Sequence, residues 1–247
     1  MTIGVVIRDF DDAFFGSMTR ELQRLSHEHG FSLLLTGFDS GRKRLDTSSL
    51  LRYHLDALII CGSDTCAPWI KPFVKKGLPV VQIGSGGIYP GINRVEMDEE
   101  YGVALLLDYL SSLGHENIGF IGDNTNQHQR RGQIVSALMS GKGLKLKKAL
   151  TVFVPEGKNA GMKAMKILFR RAGKNMPSAV IAADDSMAQS GLRAIHDFGL
   201  SVPRDISLTG IDDIPSASLM IPSLTTVRSP VAMMVRAAFD LVVKKGA

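Results

Sequence analysis

Two pairs of neighbouring aspartates stand where apolar segments of this sequence end. Asp212 and Asp213 follow the run Ile206–Ile211, and Asp184 and Asp185 follow a second apolar run. Such carboxylates can bind a metal ion or act as an acid and a base, and they can accept hydrogen bonds from the hydroxyl groups of a sugar. The structural alternative is that they cap the next helix or turn.

The segments that lead to these carboxylates alternate between strand-like and helix-like patterns. Eight short runs are rich in apolar and β-branched residues, namely Ile3–Ile7, Leu33–Thr36, Ala57–Ile60, Val80–Ile83, Ile118–Ile121, Thr151–Val154, Ala179–Ala182 and Ile206–Thr209. Strand-like pieces also follow Gly91 and cover Ser223–Val227. Strands that are apolar throughout are buried on both faces, so the pattern predicts parallel sheets with helices on each side, an α/β fold.

Helical spacing of apolar residues separates most of these runs. Three such apolar faces each precede a glycine: Phe15, Met18, Leu22 and Leu25 before Gly30; Val103, Leu106, Leu107 and Leu110 before Gly114; and Met187, Leu192 and Ile195 before Gly199. Glycine directly after the last periodic residue is a helix stop signal, so each face predicts a helix that ends there.

Polar residues follow the strands at several points. The clearest are Asp9, Ser63, Asp98, Asp184 and Asp212. Because ligands of open parallel sheets bind beyond the carboxyl ends of the strands, these residues predict one acidic, polar-lined cleft.

Two enzymatic interpretations of the cleft match the sequence poorly. Asp9 and Asp11 form the Asp-x-Asp of a magnesium-dependent phosphatase, but Ala13 stands where a hydroxyl residue is expected and no lysine is suitably placed. The glycines of IGSGGIYPG lead to Pro90 instead of the helix that a dinucleotide site needs. We therefore expect no enzyme activity, no cofactor and no metal site.

Composition limits the remaining functions. The 247 residues carry a net charge of +5 and 45% hydrophobic residues, as in an ordinary globular chain. No apolar stretch approaches the roughly 20 residues that span a bilayer. The strand-like N-terminus leaves no room for a signal peptide, and Cys61 and Cys66 can form neither a disulfide framework nor a zinc site, so we expect a cytoplasmic protein. The basic excess comes without a recognition helix, so it does not indicate a nucleic-acid-binding surface.

Reversible binding of a hydroxyl-rich small molecule fits the predicted cleft best. Carboxylates accept hydrogen bonds from sugar hydroxyls, and arginine donates the complementary ones. Each charge-assisted bond contributes ~1.5–3 kcal/mol, so a few of them suffice for micromolar affinity.

Long blocks of the sequence resemble the lactose/galactose repressor family of bacterial transcriptional regulators. The blocks are IGVVIRDFDDAFFGSMTRELQRLSHEHGFSLLL, VEMDEEYGVALLLDYLSSLGHENIGFIG and AVIAADDSMAQSGLRAIHDFGLSVPRDISLTGIDDIPSASLMIPSLTTVRSP. The resemblance implies a type I periplasmic-binding-protein-like fold, with two doubly wound parallel-sheet subdomains and a hinge that closes on a ligand. The first subdomain would be residues 1–98 plus 227–247, and the second residues 99–226.

The resemblance also implies a set of ligand-binding residues. They are Phe14, Phe15, Ser63, Asp98, Arg130, Asp184 and Asp212. Arg130 would donate hydrogen bonds to neighbouring ligand oxygens. The alternative is that Arg130 is a surface arginine of its helix, as the adjoining Arg131 is expected to be. Asp213 is expected to cap the following turn.

Three places depart from the family pattern. Asp184 replaces an asparagine, which turns a group that donates and accepts into a pure acceptor. Gln133 and Ile134 replace the Gly-Phe that follows the arginine, and Asp12 with Ala13 replaces Asn-Pro. An additional carboxylate in the cleft should disfavour anionic effectors and favour polyols, sugars or cationic ligands.

The partners implied by the resemblance are a sugar, polyol or related effector and a second copy of the chain, with no membrane. Leu219, Met220 and Ile221 lie on a predicted surface turn and are the expected homodimer contact. The family's N-terminal helix-turn-helix is not recognisable here, so operator DNA would be bound only through a segment absent from this sequence. The rival interpretation is a secreted sugar-binding protein of a transport system, which shares the fold.

Overall fold

Two compact units, each with one parallel sheet, make up the fold. The computed structural model describes residues 1–37, 47–62, 68–85 and 89–243. The first unit comprises Met1–Met97 and Pro230–Ala247, and the second comprises Asp98–Ser229. Asp98 and residues 227–229 therefore lie in the second unit, whereas the bounds expected from the sequence put them in the first.

Strands and helices alternate along most of the chain. Their order is β1 (Thr2–Ile7), α1 (Ala13–Glu28), β2 (Ser32–Gly37), α2 (Thr47–Arg52), β3 (Ala57–Cys61), α3 (Lys71–Lys75), β4 (Val80–Ile83), β5 (Asn93–Val95), α4 (Glu99–Ser112), β6 (Ile118–Asp123), α5 (Asn126–Gly141), β7 (Thr151–Val154), α6 (Ala160–Ala172), β8 (Ala179–Ala182), α7 (Asp185–Asp197), β9 (Ser207–Asp212), β10 (Thr225–Arg228) and α8 (Val231–Val243).

The first unit is a sheet of five parallel strands in the order β2-β1-β3-β4-β5, covered by helices on both faces. On one face, Met18 and Leu22 of α1 pack with Phe239 of α8 against β1, β3 and β4. On the other face, the alternate residues of the same strands pack against Leu50 and Phe73, which belong to α2 and α3. Full burial of one such side chain contributes roughly 1.5–3 kcal/mol, so both faces stabilise the sheet.

The second unit repeats this arrangement with the strand order β10-β9-β8-β6-β7. Met165 and Leu168 of α6 and Ile195 of α7 pack on one face of this sheet. Helices α4 and α5 contact each other, and α5 packs against β6. Gly132 of α5 permits a close approach, because a Cβ there would lie 2.8 Å from Cζ of Phe153.

The predicted secondary structure agrees with these elements. All eight apolar runs are strands, and the two further strand-like pieces are the edge strands β5 and β10. Gly30, Gly114 and Gly199 follow α1, α4 and α7 with φ values of 67°, 82° and 73°, as expected of glycines that end helices. The prediction of burial on both faces is wrong for β2, where Leu35 is 43% exposed, because β2 is an edge strand.

Two remaining sequence expectations concern the cysteines and the membrane. Cys61 ends β3 and is buried, which raises the pKa of its thiol to about 12, and Cys66 lies outside the described residues. Within the described parts of the chain, no helix has the length and apolar character needed to cross a bilayer.

Candidate functional site

Ionisable side chains gather at the carboxyl ends of three adjacent strands of the second unit, β6, β8 and β9. Asp123 is the last residue of β6, Asp184 follows β8, and Asp212 is the last residue of β9. The first turns of α4 and α5 lie beside them. Together these elements form what we call the strand-end cluster, which consists of Glu99, Asp123, His128, Arg131, Asp184 and Asp212.

Arg131 contacts several parts of this cluster. Its side chain is 2% exposed. Nη1 donates to the carbonyl oxygen of Ala183 at 2.6 Å, and Nε donates to Oε1 of Glu99 at 3.1 Å. Nη2 lies 3.7 Å from Oδ1 of Asp212. A guanidinium at this depth is stable only because carboxylates and a carbonyl surround it, so Arg131 joins α4, α5 and the ends of β8 and β9.

His128 lies between two carboxylates of the cluster. Nδ1 is 2.8 Å from Oδ1 of Asp123, and Nε2 is 2.9 Å from Oδ2 of Asp184. Burial disfavours the charged ring, but Asp184 and Asp123 outweigh burial and raise the pKa of His128 to about 9. The backbone N–H of Asp123 also lies 3.1 Å from Nδ1, yet a ring with a carboxylate at each nitrogen keeps both protons. His128 is therefore an imidazolium at neutral pH.

The pKa values of the two carboxylates that flank His128 are lowered, whereas that of His128 is raised. Burial by itself would raise the pKa of Asp123, but the hydrogen bond from His128 lowers it to about 2. Desolvation by itself would also raise the pKa of the half-buried Asp184, but the positive charge of His128 lowers it below the ordinary value. Both carboxylates are ionised at neutral pH as a result.

Asp212 has an unusual backbone and an unusual ionisation. Burial raises the pKa of its carboxyl to about 7, although Arg131 opposes this shift. Oδ1 accepts a hydrogen bond of 2.9 Å from Oγ of Ser229. Asp212 and Asp213 have φ values of 123° and 54°, which side-chain-bearing residues rarely adopt and which cost on the order of 1–3 kcal/mol each. Strain of this kind concentrates at functional sites.

The second aspartate of each pair has a structural role. Asp185 is fully buried and accepts hydrogen bonds from the backbone N–H of Ile214 at 2.9 Å and from Oγ1 of Thr226 at 2.5 Å. Asp213 pairs with Arg228, whose Nε lies 2.6 Å from Oδ2. The prediction that Asp213 caps the following turn is wrong, because Asp185 reaches across from α7 and binds the first N–H of that turn.

Arg130 and Arg131 differ sharply in burial. The side chain of Arg130 is 51% exposed, and its Nε lies 3.6 Å from Oε2 of Glu99, at the margin of the strand-end cluster. The expectation that Arg131 lies on the helix surface is wrong, because its side chain points into the interior, about 100° around α5 from that of Arg130. Contact of Arg130 with a ligand stays a prediction.

Four predicted ligand residues remain, namely Asp98, Phe14, Phe15 and Ser63. Asp98 is exposed and caps α4, because its Oδ1 accepts a hydrogen bond of 2.9 Å from the backbone N–H of Tyr101. Phe15 is 6% exposed within the core of the first unit, whereas Phe14 is half-buried, with the two ring centroids 5.4 Å apart. Ser63 lies outside the described residues. Ligand contacts of these residues stay predictions.

The cluster has the composition of a binding site for a polar ligand. In the described part of the chain, no group of three or more histidine, cysteine or acidic side chains is arranged to hold a metal ion. Asp184 and Asp212 offer carboxylate oxygens at the strand ends, and Arg130, which lies next to Glu99, offers N–H donors. Such groups bind hydroxyls by hydrogen bonding.

Sequence reasoning missed several members of the cluster. Glu99, Asp123, His128 and Arg131 were not among the predicted site residues. A usable signal exists on α5, where His128 and Arg131 are three residues apart and thus share a helix face. Their partners could not be identified without the neighbouring strand ends.

Known proteins with similar sequences share this architecture. A family model described as a periplasmic binding protein-like domain matches residues 107–245. The HTH-type transcriptional regulator GalR of Escherichia coli K12 is 30% identical over 246 residues, which are 97% of this chain and 71% of GalR. The chain belongs to the LacI/GalR family of transcriptional regulators. The resemblance found in the sequence is thereby confirmed.

Solved structures of transcriptional regulators confirm the fold. A LacI family regulator from Lactobacillus casei with bound sucrose is 26% identical, with a TM-score of 0.84 over 99% of this chain and 91% of that chain. The complex of the regulator CelR with cellobiose reaches a TM-score of 0.88 at 24% identity, over 99% of this chain and 77% of that chain. The two parallel sheets are therefore those of the periplasmic-binding-protein-like fold, as predicted.

Proposed function

We propose that this chain is the effector-binding region of a bacterial transcriptional regulator and that its effector is a neutral sugar or polyol. The strand-end cluster carries the proposal, because its carboxylates lie at the carboxyl ends of adjacent parallel strands in a LacI/GalR-family fold. The sucrose bound to the Lactobacillus casei relative supports a sugar.

Each predicted residue has a chemical role in this proposal. Asp184 and Asp212 accept hydrogen bonds from ligand hydroxyls, and Arg130 donates to neighbouring ligand oxygens. Phe14 and Phe15 would contact apolar ligand surface, and Ser63 and Asp98 would add polar contacts. The last four residues rest on the family resemblance.

Operator binding would be controlled through a helix-turn-helix outside this sequence. Effector binding changes the operator affinity of the full-length regulator only if the effector binds one of its conformations more tightly than another. Hinge closure, which the resemblance implies, would supply these two conformations and stays a prediction. The proposal places the regulator in the cytoplasm. A secreted transport protein is the rival, and an upstream signal peptide in the coding sequence would favour that rival.

Self-association is a second part of the proposal. Leu219 is 78% exposed and Ile221 is 93% exposed, and Met220 between them is half-buried. Large apolar side chains at such exposure mark interaction surfaces. We infer a homodimer that uses this turn in an isologous contact.

The experiment that tests the proposed function is a thermal-shift screen of sugars, polyols, sugar phosphates and nucleobases, followed by calorimetry of the compounds that raise Tm. A ligand at 100 times its Kd stabilises the protein by ~2.7 kcal/mol, which is a readily measured shift. We expect stabilisation by a neutral sugar or polyol and no hydrolysis of phosphate esters with Mg²⁺. A panel without a stabilising sugar or polyol, or magnesium-dependent turnover, would contradict the proposal.

A further inference from the structure

The ion pair of His128 with Asp184 stands at a position where the family pattern has a neutral amide. Asp184 replaces the asparagine expected from the family resemblance. The structure compensates for this charge, since Nε2 of His128 lies 2.9 Å from Oδ2 of Asp184. The expected preference for cationic effectors thus loses its basis, because the added carboxylate already has a cation beside it.

Both oxygens of Asp184 are held by the protein, but each keeps capacity to accept. Oδ1 accepts from the backbone N–H of Met187 at 2.6 Å, and Oδ2 faces His128. A carboxylate oxygen has two lone-pair positions, so one acceptor position remains on each. The side chain of Asp184 is 17% exposed, whereas that of His128 is 6% exposed. A ligand would therefore reach Asp184 but not the ring behind it.

The second carboxylate on the ring fixes the orientation of His128. Nδ1 lies 2.8 Å from Oδ1 of Asp123, which ends β6 and also accepts from the backbone N–H of Thr125 at 2.9 Å. The ring is thus bracketed by the ends of β6 and β8. A bracketed imidazolium cannot offer an acceptor to a ligand, because both its nitrogens are donors.

The other charged groups around the pair belong to four elements. They are Arg131 on α5, Asp212 at the end of β9, Asp185 at the start of α7, and Glu99 on α4, which reaches the pair through Arg131. Arg131 favours the ionised form of Asp184, and Asp184 in turn disfavours ionisation of Asp212. His128 and Arg131 together leave Asp184 ionised.

We propose that His128 is a positioning residue that selects the effector: it orients and neutralises Asp184, so that the strand end presents an acceptor-only oxygen to a hydroxyl group. This inference rests on the proposed function, and it adds that the effector must donate a hydrogen bond at this point. A ligand with a carbonyl, carboxylate or phosphate oxygen there would meet a fixed acceptor and bind poorly.

The pairing is tested without any ligand by NMR of the histidine ring nitrogens in the wild type and in Asp184→Asn. We expect the wild-type His128 to titrate with a pKa of about 9. Removal of the charge of Asp184 should lower the pKa by roughly 1–3 units. His115 is the internal control, because its ring contacts Ser178 and Ser207 instead of a carboxylate. A ring that is neutral at pH 7, or a titration unchanged in Asp184→Asn, would overturn the proposal.

Selection is tested by calorimetry with D-galactose, D-ribose and sucrose on the wild type, His128→Gln, Asp184→Asn and the double variant. We expect at least a tenfold loss of affinity in His128→Gln and a double variant that loses less than the two single variants combined. The double variant should also melt above His128→Gln, because the unbalanced carboxylate is gone. His196→Gln is the matched control, since His196 is an exposed histidine of the same unit.

The outcomes separate the inference from the proposed function. If a sugar binds the wild type and His128→Gln with equal affinity, the proposed role of His128 is overturned, but the proposed effector site is not contradicted. If the wild type binds none of the three sugars and no sugar or polyol of the thermal-shift panel, the proposed function is overturned and, with it, the selective role. If His128→Gln does not fold, Asp184→Asn tests the proposal instead, because asparagine has nearly the same volume as aspartate. An unchanged sugar affinity of Asp184→Asn would contradict the proposal.

Discussion

At the scale of single residues, two adjacent arginines of α5 have opposite roles. Arg131 is buried against Glu99 and Asp212, whereas the side chain of Arg130 is half exposed. Sequence could not separate them, because neighbours on a helix point about 100° apart and the orientation of the helix depends on what it packs against.

The first prediction concerns Arg131→Met. The change leaves Glu99 and Asp212 without their cation, so the free energy of unfolding should fall by ~3–5 kcal/mol. Arg130→Ala should alter it by less than ~0.5 kcal/mol. Urea denaturation of both variants measures the difference. Equal effects of the two changes would contradict the burial of Arg131.

The second prediction is a loss of stability at alkaline pH caused by His128. Its pKa is raised in the folded state, from 6.5 to about 9, so the stability that it contributes is present below pH 6.5 and is lost as pH rises to 9. At ~1.4 kcal/mol per pKa unit, the loss is ~3 kcal/mol. Denaturation at several pH values should show this fall in the wild type and its absence in His128→Gln.

Asp212 and Asp123 change their charge mainly below pH 7, so they do not obscure the loss of stability that His128 causes at higher pH. Asp212 has a raised pKa of about 7, so its stabilising effect is lost mainly between pH 3.8 and 7. Asp123 has a lowered pKa of about 2, so its contribution is lost only as pH falls below 3.8. A fall above pH 7 that persists in His128→Gln would therefore point to a group outside the cluster.

From the sequence alone, a side chain could be placed at the strand ends only where an apolar run leads directly to it. Asp184 and Asp212 follow apolar strands, and parallel strands bring their carboxyl ends to one edge, so both could be placed there. Asp123 also ends a strand, but that strand, β6, contains two glycines. Its end was therefore not predicted to contribute to the site. His128 and Asp213 could not be assigned, because their partners come from other elements.

At the scale of elements, the sequence predicted the sheets well because the strands are strongly apolar. Ile59 and Ile60 of β3, for example, are fully buried on opposite faces. The exceptions are edge strands such as β2, since an edge strand has fewer neighbours to cover its side chains. The order of strands within each sheet could not be derived from hydrophobicity, because an apolar strand does not identify its neighbours.

The third prediction concerns the packing of α6 on α7. A Cβ on Gly161 would lie 1.9 Å from the carbonyl oxygen of Met187 and 2.4 Å from Oγ of Ser190. Gly161→Ala should therefore force the helices apart and destabilise the protein by at least ~1–3 kcal/mol. Thermal denaturation monitored by circular dichroism measures the change.

Gly16→Ala on α1 is the matched control for this substitution. A Cβ at Gly16 meets nothing within 4 Å, and alanine is the better helix former by ~0.5–1 kcal/mol. Gly16→Ala should thus raise Tm while Gly161→Ala lowers it. A neutral Gly161→Ala would show that α6 and α7 are not in this close contact.

At the scale of the whole molecule, the fourth prediction is a homodimer without DNA or ligand. Ile221→Asp should yield monomers, because a buried charge at an apolar contact is costly. Met233→Asp is the control, since Met233 is 74% exposed on α8 and outside the proposed contact. Sedimentation at tens of micromolar decides the matter, and a wild type that is only monomeric would contradict the dimer.

The proposed function requires an effector site at the strand ends of the second unit. Calorimetry with the tightest sugar or polyol of the screen, on the wild type, Arg130→Ala and Arg193→Ala, tests this most directly. Arg193 is the control, because it is an exposed arginine of the same unit paired with Asp197. We expect Arg130→Ala to lose ~2–4 kcal/mol of binding free energy, about 30- to 1000-fold in affinity, and Arg193→Ala to leave the affinity unchanged. Equal affinities of the wild type and a well-folded Arg130→Ala would contradict the site.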